Sequence, residues 1–406
     1  GSHPPVDHRR RPVSAPSALA RFRRTRELSL GILAILITAG GYALLGLSKA
    51  PALPPDLLGL FGVLCGLFLV AHLAVRRLAP RADPTLLPIV ALLLGIGFVM
   101  LSRLDLHPDP QQGRVAPTQA VWIAVGIGAF VLTLLFVRNA RTLAQYRYTF
   151  LFLGVGALVL PLVPGLGVTI NDARLWVRVG GSTFQPGELA KVLLVVFFAS
   201  YLVDKRELLS SGSRRIGRMH VPDPKHLGPL LLPWGLAILI VVGQKDLGSS
   251  LLFFMVFVAM LYIATQRSAY LIIGMALFAG AVWIAYHLFG HVQERVSIWL
   301  NPWQDLHGKG YQLTQSLFAF GSGGFTGKGL GRGIPFQIPV HNTDFIFAAI
   351  GEELGLIGTV AVICAFLLLV GSAFRIAAQA SRPFTQLFAA GLATILGAQT
   401  FVIVGG

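Results

Sequence analysis

An all-α fold that crosses a membrane many times is what this sequence predicts, and three observations carry it. Of its 406 residues, 54% are hydrophobic and only 12% are charged, against about 25% charged in soluble domains. The apolar residues gather in runs close to the length of a membrane-spanning helix, about 20 residues. Lys and Arg concentrate in alternate connections between those runs, the pattern of cytoplasmic loops. The net charge of +16 is therefore spread over loops rather than gathered on one soluble face. With no nucleic-acid-binding motif present, nucleic acid is excluded as a partner. Two cysteines, Cys65 and Cys364, lie inside apolar runs. They form neither a disulfide framework nor a metal cluster and are expected to be buried small hydrophobes.

Taken in order, the chain opens on Gly1-Ser2-His3, which reads as a cleavage scar, and residues 1–26 are Pro- and Arg-rich. That composition predicts a disordered basic tail. About 11 transmembrane segments follow, near 28–47, 56–75, 84–101, 118–137, 148–163, 187–203, 229–243, 249–264, 270–290, 345–370 and 385–404. The first two occupy 27–83 as additional N-terminal helices, and 84–406 is the transmembrane core. The runs 148–163, 229–243 and 249–264 are short, as are membrane segments that line a site rather than face lipid.

A cytoplasmic N-terminus places about 22 of the 33 Lys and Arg residues on the cytoplasmic side, and the opposite orientation breaks the bias at nearly every loop. The segments 164–186 and 291–344 are then extracytoplasmic. Both are long, Gly-rich and mixed in Trp and Arg, unlike simple connectors.

Polar groups beside or within spans cost about 2.5–3.5 kcal/mol each on insertion scales, which makes them functional candidates. In "QPGELAK", Gln185 to Lys191, Glu188 and Lys191 are three apart and share a helix face. The pair either neutralises itself for insertion or presents Lys191 to an anionic headgroup, with Glu188 orienting it. Arg174 offers a donor fork suited to phosphate, and Trp176 either covers a sugar face or sits in the interfacial aromatic belt. "GQKDLGSS", 243–250, interrupts an apolar run; Asp246 is expected to cap the next helix, with substrate contact as the alternative, and Gly248 to relieve close packing. In "HNTDFIFAAIGEELG", 341–355, Thr343 and Asp344 suit the first turn of a helix and are candidate substrate contacts. Glu352 and Glu353 lie over two turns deeper and are expected to bond backbone or Ser/Gln groups of neighbouring helices. "GSGGFTGKGLGRG", 321–333, has Gly329 where a phosphate loop needs Ser or Thr and Ser322 where it needs Gly, so nucleotide binding is rejected.

The segments "QPGELAK", "KDLGSSLL", "NPWQDLHGKGYQLTQSLFAFGSGG", "GKGLGRG" and "NTDFIFAAIGEELGLIG" are similar, in order and spacing, to the SEDS family (RodA and FtsW). Within it, "QKDLGSSLL", "FFASYLVDKREL" and the two additional spans resemble actinobacterial RodA members. The resemblance covers about residues 84–406. It implies a peptidoglycan glycosyltransferase that polymerises lipid II at the outer face of the cytoplasmic membrane, serving cell elongation and working with a class B penicillin-binding protein. A lipid II flippase and a cell-division polymerase of FtsW type are the alternatives. The family's essential aspartate, which follows an Asn-Pro pair, corresponds to Asp305 after Asn301-Pro302. The family's Arg-Trp pair appears as Arg174-Leu175-Trp176 with one residue inserted, and Glu188 and Lys191 match directly. Members continue into a further polar loop and helix, so a last helix is expected beyond Gly406.

Polymerisation from a polyprenyl diphosphate donor needs a base for the attacking hydroxyl and positive charge for the departing diphosphate. Asp305 is the acid in its stretch and His307 its nearest titratable neighbour, which makes Asp305 the expected general base. Arg174, Lys191, Lys245 and Arg295 are candidates to hold the diphosphate, together with Mg²⁺ or Mn²⁺. Tyr311, Gln312 and Gln315 are expected to contact sugar or fix the loop. The polyprenyl tail of the substrate stays in the bilayer, so membrane lipid, lipid II and nascent glycan are the expected surroundings of the site.

Overall fold

The structure is a computed structural model that describes residues 18–49, 57–107, 113–137, 139–170, 173–179, 182–211, 213–216, 219–222, 224–244 and 246–405. It divides into two compact units, 1–99 with 116–136, and 100–115 with 137–406.

The first unit holds α1 (Ala18–Leu47), α2 (Leu57–Leu78), most of α3 (Leu86–Leu104) and α4 (Ala116–Phe136). Residues 18–26, expected within a disordered tail, are instead the first turns of α1; residues 1–17 lie outside the described residues. The reason is local. Arg24 bonds the Glu27 carboxylate one turn on and the carbonyl of Ala82, while His72 Nδ1 of α2 lies 2.7 Å from the same carboxylate. All three side chains are buried. A buried charge is tolerated when it is paired and hydrogen-bonded, and this cluster ties α1 to α2 and to the segment that enters α3.

The second unit contains the end of α3 and eleven further helices: α5 (Ala140–Gln145), α6 (Arg147–Val159), α7 (Pro186–Asp204), α8 (Arg206–Ser211), α9 (Pro224–Gly243), α10 (Leu247–Thr265), α11 (Ser268–Leu288), α12 (Gly290–Leu300), α13 (Tyr311–Gly323), α14 (Ile346–Gln379) and α15 (Pro383–Gly405). α7 is apolar around most of its circumference, which is the signature of a helix buried on all sides. Leu194, Phe197, Phe198 and Leu202 lie in one core with Phe253 and Met260 of α10 and Leu387 and Ile395 of α15. That core packs the body of α7, while "QPGELAK" lies at its N-terminal end, where Glu188 and Leu189 are exposed.

Among the described residues, nine helices are long and apolar enough to cross a membrane, and two shorter apolar helices, Arg147–Leu162 and Leu231–Gly243, accompany them. The expected eleven spans thus become nine with two short partners. The run expected as the short 249–264 is long enough on its own once α10 begins at Leu247. Cys364 is exposed and Cys65 half-buried, against the expectation that both are buried; an exposed thiol on a membrane-crossing helix costs little because lipid is as apolar as the core.

The two segments read as long loops are folded. In 164–186, β1 (Gly167–Ile170), β2 (Ala173–Val179) and β3 (Ser182–Phe184) form an antiparallel sheet in the order β1-β2-β3. Val168 faces Trp176, and Val177 faces Phe184. A second hairpin pairs β4 (Ser213–Ile216) with β5 (Met219–Pro222). The segment 291–344 contains most of α12, all of α13, and short 3₁₀ turns at Pro302–Asp305 and Pro335–Gln337.

α14 is broken at Gly355, which has φ 65° and ψ −163°. A β-carbon there would lie 2.2 Å from Gly327 N, so glycine is required by both conformation and space. The break releases the amides of Leu356 and Ile357, which donate to the carbonyls of Gly324 and Phe325 at 3.0 and 3.2 Å. Beside the break, the glycine-rich stretch 327–334 folds onto Glu352 and Glu353. The Glu353 carboxylate accepts from Arg103 Nε at 2.6 Å and Gly331 N at 2.9 Å, and Arg103 Nη2 donates to Gly333 O at 2.7 Å. Glu352 accepts from Lys328 Nζ at 2.7 Å and Ile334 N at 3.1 Å. Backbone or Ser/Gln groups of neighbouring helices were the expected partners of these glutamates, and the backbone part is met, though by a loop. The structure supplies two cations and the amides of one loop, because a carboxylate without a cation is too costly at 0% exposure, the value for Glu353.

Candidate active site

The Asp305 turn is built from the residues around it. The chain leaves α12 at Asn301, whose amide donates to Ser297 O at 2.9 Å. Buried Pro302 starts the 3₁₀ turn. Asp305 is exposed, and its Oδ2 accepts from the amide of Lys309 at 2.9 Å. Lys309 Nζ in turn pairs with Glu294 of α12 at 2.7 Å. A β-carbon on Gly308 would lie 2.3 Å from Asp305 Oδ2, so the glycine is what allows the carboxylate to fold over its own turn. Gly308→Ala is expected to leave the protein folded but displace this carboxylate. A misplacement of about 1 Å costs on the order of 10²-fold in rate, which a comparison of turnover with wild type checks.

A second cluster forms where the sheet runs into α7. Gln185 stands at the N-cap of α7, and Pro186 occupies its first position. Lys191 Nζ and Glu188 Oε2 are 2.6 Å apart, with Lys191 buried and Glu188 half-exposed. Gln399 Nε2 of α15 donates to the same Glu188 oxygen at 3.2 Å. Gln185 and Gly187 share a cleft with Leu175, Gln244, Asp246 and Ser249. Buried Gln244 donates to Leu158 O at 2.6 Å. Asp246 caps α10 as expected, accepting from Ser249 N at 2.8 Å and from the Ser249 hydroxyl. Asp246→Ala is expected to cost about 1 kcal/mol, the usual worth of such a cap, read as a lowered unfolding temperature in detergent. Gly248 does not relieve close packing; a β-carbon there meets only Asp246 Oδ1, at an ordinary 3.5 Å.

Arg174, on β2, is half-buried and donates from Nη2 to Val163 O at 3.2 Å. Its Nε is buried and has no hydrogen-bond partner among the described residues. Trp176, two residues along the same strand, is half-buried.

The remaining candidates are more scattered. Arg295 is exposed on α12; Gln312 is exposed and Gln315 half-buried on α13, three residues apart and so on neighbouring positions of one face. Thr343 and Asp344 do not form the first turn of α14. That helix starts at Ile346 with Phe345 at its N-cap and no side-chain cap, and the Thr343 hydroxyl donates instead to Val340 O at 3.4 Å. The turn at 340–345, closed by Thr343 N and Phe345 N on Val340 O, displaces the start of the helix. Lys245 lies outside the described residues. Asp305 bonds within its own turn, whereas Glu188, Lys191 and Asp246 bond within α7, α10 and α15. Among the described residues no hydrogen bond or ion pair joins the two clusters.

Sequence reasoning missed Arg103 and Lys328 as partners of the buried glutamates, and Gln399 as a partner of Glu188. Arg103 carried a signal, being a lone cation at the end of the apolar run "GFVMLSRL", where a charge is expected to be paired.

Residues 84–406 match the FtsW/RodA/SpoVE family of cell cycle proteins. The chain is 41% identical over 394 residues to the peptidoglycan glycosyltransferase RodA of Mycobacterium tuberculosis, covering 95% of this chain and 83% of that relative. It is 41% identical over 387 residues to the RodA of Mycobacterium leprae, with the same coverage of 95% and 83%. Its fold is similar to that of a chain in a solved structure titled for the coordination of polymerization and crosslinking by a peptidoglycan synthase complex. That likeness has a TM-score of 0.51 and 24% identity, and covers 86% of this chain and 87% of the other. This multi-pass membrane chain belongs to the FtsW/RodA/SpoVE family.

Proposed function

We propose that the chain is a peptidoglycan glycosyltransferase that polymerises lipid II, a disaccharide-peptide carried on undecaprenyl diphosphate, at the outer face of the cytoplasmic membrane during cell elongation. The observation that carries this reading is the Asp305 turn: an exposed carboxylate, held over its own backbone, in a segment that the distribution of Lys and Arg places outside.

Asp305 takes the proton from the attacking sugar hydroxyl. The hydroxyl oxygen bonds to the anomeric carbon of the donor, the bond from that carbon to the diphosphate oxygen breaks, and the electron pair leaves with the diphosphate. Asp305 is proposed to act as a base only, with no covalent sugar intermediate. A single displacement inverts the anomeric configuration. Arg174 and Lys191 are the cations proposed to bind the donor diphosphate. Gln185 and Asp246, on the shared cleft, and Trp176, Arg295, Gln312 and Gln315 are the proposed polar contacts for sugar and headgroup.

Among the described residues, no three His, Cys, Asp or Glu side chains are grouped to hold a metal ion. Asp305 would be the residue of its turn to hold Mg²⁺ or Mn²⁺, an oxygen-seeking cation. Bound that way, the ion supplies charge neutralisation to the leaving diphosphate.

The product is an uncrosslinked strand, so the proposed partner is a transpeptidase, a class B penicillin-binding protein. Incubated with that partner and labelled lipid II, the purified chain is expected to yield a ladder of glycan strands that a muramidase specific for β-linkages digests fully. Strands resistant to the muramidase would rule out inversion.

A further inference from the structure

We propose that Trp299, Leu300, Trp303 and Leu306 anchor the Asp305 turn in the outer headgroup layer of the membrane and so fix the depth of its carboxylate. The inference rests on reading Asp305 as the base for a lipid-linked donor.

Its first support is exposure beside the carboxylate. Trp299 and Leu300 are each 70% exposed, Trp303 is 51% exposed and Leu306 is 40% exposed. Four large apolar side chains left open within eight residues make a patch that a water-facing turn would have to keep solvated, and contiguous patches of this kind mark interaction surfaces. Its composition favours a bilayer interface over a protein: Trp is the residue most at home at headgroup level. Arg295 is four residues before Trp299 and shares its helix face, and an arginine there can lay its stem on apolar surface while its guanidinium reaches phosphate.

The second support is continuity with a lipid-facing helix. The end of α11 exposes Trp283, Tyr286 and Leu288. Extended backbone at Phe289, φ −119° and ψ 111°, turns the chain from α11 into α12, and Gln293 Nε2 donates back to Tyr286 O at 2.7 Å. The patch thus follows, across the bend at Phe289, the end of an apolar span that also exposes large apolar side chains.

The third support is mechanical. α12 is stitched to the Asp305 turn by the Asn301 amide on Ser297 O at 2.9 Å and by the Glu294–Lys309 pair at 2.7 Å. Lys309 also gives the amide that holds Asp305 Oδ2. Whatever sets the depth of α12 therefore sets the depth of the carboxylate. The donor diphosphate is confined to the headgroup layer by its hydrocarbon tail, so a base fixed at that depth meets it without leaving the interface.

The test has two arms. In a background carrying Cys65→Ser and Cys364→Ser, spin labels placed through Leu300→Cys and Leu306→Cys in phosphatidylglycerol/phosphatidylcholine vesicles are expected to collide more often with oxygen than with a water-soluble nickel chelate. Labels that prefer the nickel chelate at both positions would overturn the anchor. This arm needs no polymerase activity, so its failure is distinct from failure of the proposed reaction. In the second arm, Trp299→Ser combined with Leu300→Ser is expected to lower kcat in vesicles on the order of 10²-fold, the cost of misplacing a reacting group by about 1 Å, with KM for lipid II unchanged. In detergent, where no bilayer sets the depth of the turn, the same variant is expected to keep wild-type kcat. An unchanged kcat in vesicles would show that the patch does not position Asp305, and an equal loss in detergent would show that it serves only the fold.

Discussion

Asp305→Asn is expected to lower the rate of glycan polymerisation by about 10²- to 10⁴-fold, the range that general-base help contributes. The substitution is chosen because the amide is nearly isosteric. Its oxygen can still accept from Lys309 N, the bond that holds the carboxylate at 2.9 Å, and the Glu294–Lys309 pair at 2.7 Å is untouched. Asp305 is exposed, so losing its charge removes no buried partner and the thermal unfolding of the variant should match wild type. Lipid II binding should also persist, since the proposed diphosphate contacts lie elsewhere. A loss confined to turnover is the signature of an interaction made in the transition state rather than in the bound substrate. Single-turnover rates and a binding isotherm on the same preparation separate the two. A variant that binds tenfold more weakly yet turns over normally would move Asp305 from base to binding residue.

Glu353→Ala is expected to destabilise the second unit by about 3–5 kcal/mol, the cost of leaving a buried ion without its partner. Arg103 is 1% exposed and Glu353 0% exposed, so neither water nor salt compensates for the loss. The consequence extends beyond the pair. Glu353 also holds Gly331 N at 2.9 Å and Arg103 holds Gly333 O at 2.7 Å, so the stretch 327–334 loses its seat on α14. Glu353→Gln retains an acceptor for Gly331 N and is expected to lose less. Lys328→Ala leaves the buried Glu352 carboxylate with Ile334 N as its partner; because the Lys328 side chain is itself 34% exposed, water enters where it stood, and the loss is expected to be smaller, about 1–3 kcal/mol. Thermal unfolding of the three variants in one detergent gives the order; equal losses for Glu353→Ala and Lys328→Ala would contradict it.

What the chain made legible follows from the range of each interaction. Spans are properties of local composition, and the long apolar runs became helices near the expected positions. The Glu188–Lys191 pair and the Asp246 cap are contacts over three residues, and both stand where spacing put them. The Arg103–Glu353 pair joins residues 250 apart in sequence, and such a contact leaves no local pattern; only the cost of a lone charge beside a span pointed at it. The sheet in 164–186 was hidden because its glycines and its mixture of Trp and Arg read as a loop, while pairing such as Val168 with Trp176 is decided across strands. Thr343 and Asp344 show a different limit. They have the chemistry of a helix start, yet the turn on Val340 places the first turn of α14 at Ile346. The candidate site was therefore legible as two clusters of residues, the Asp305 turn and the α7 entrance.

The most direct test of the account compares polymerisation and transport on one preparation. Wild-type chain with its transpeptidase is expected to elongate labelled lipid II in detergent, where no membrane sides exist, and Asp305→Ala is expected to abolish that product. A wild-type protein that makes no polymer in detergent but carries lipid II headgroups across sealed liposomes would contradict the account, and so would an Asp305→Ala variant that polymerises at the wild-type rate.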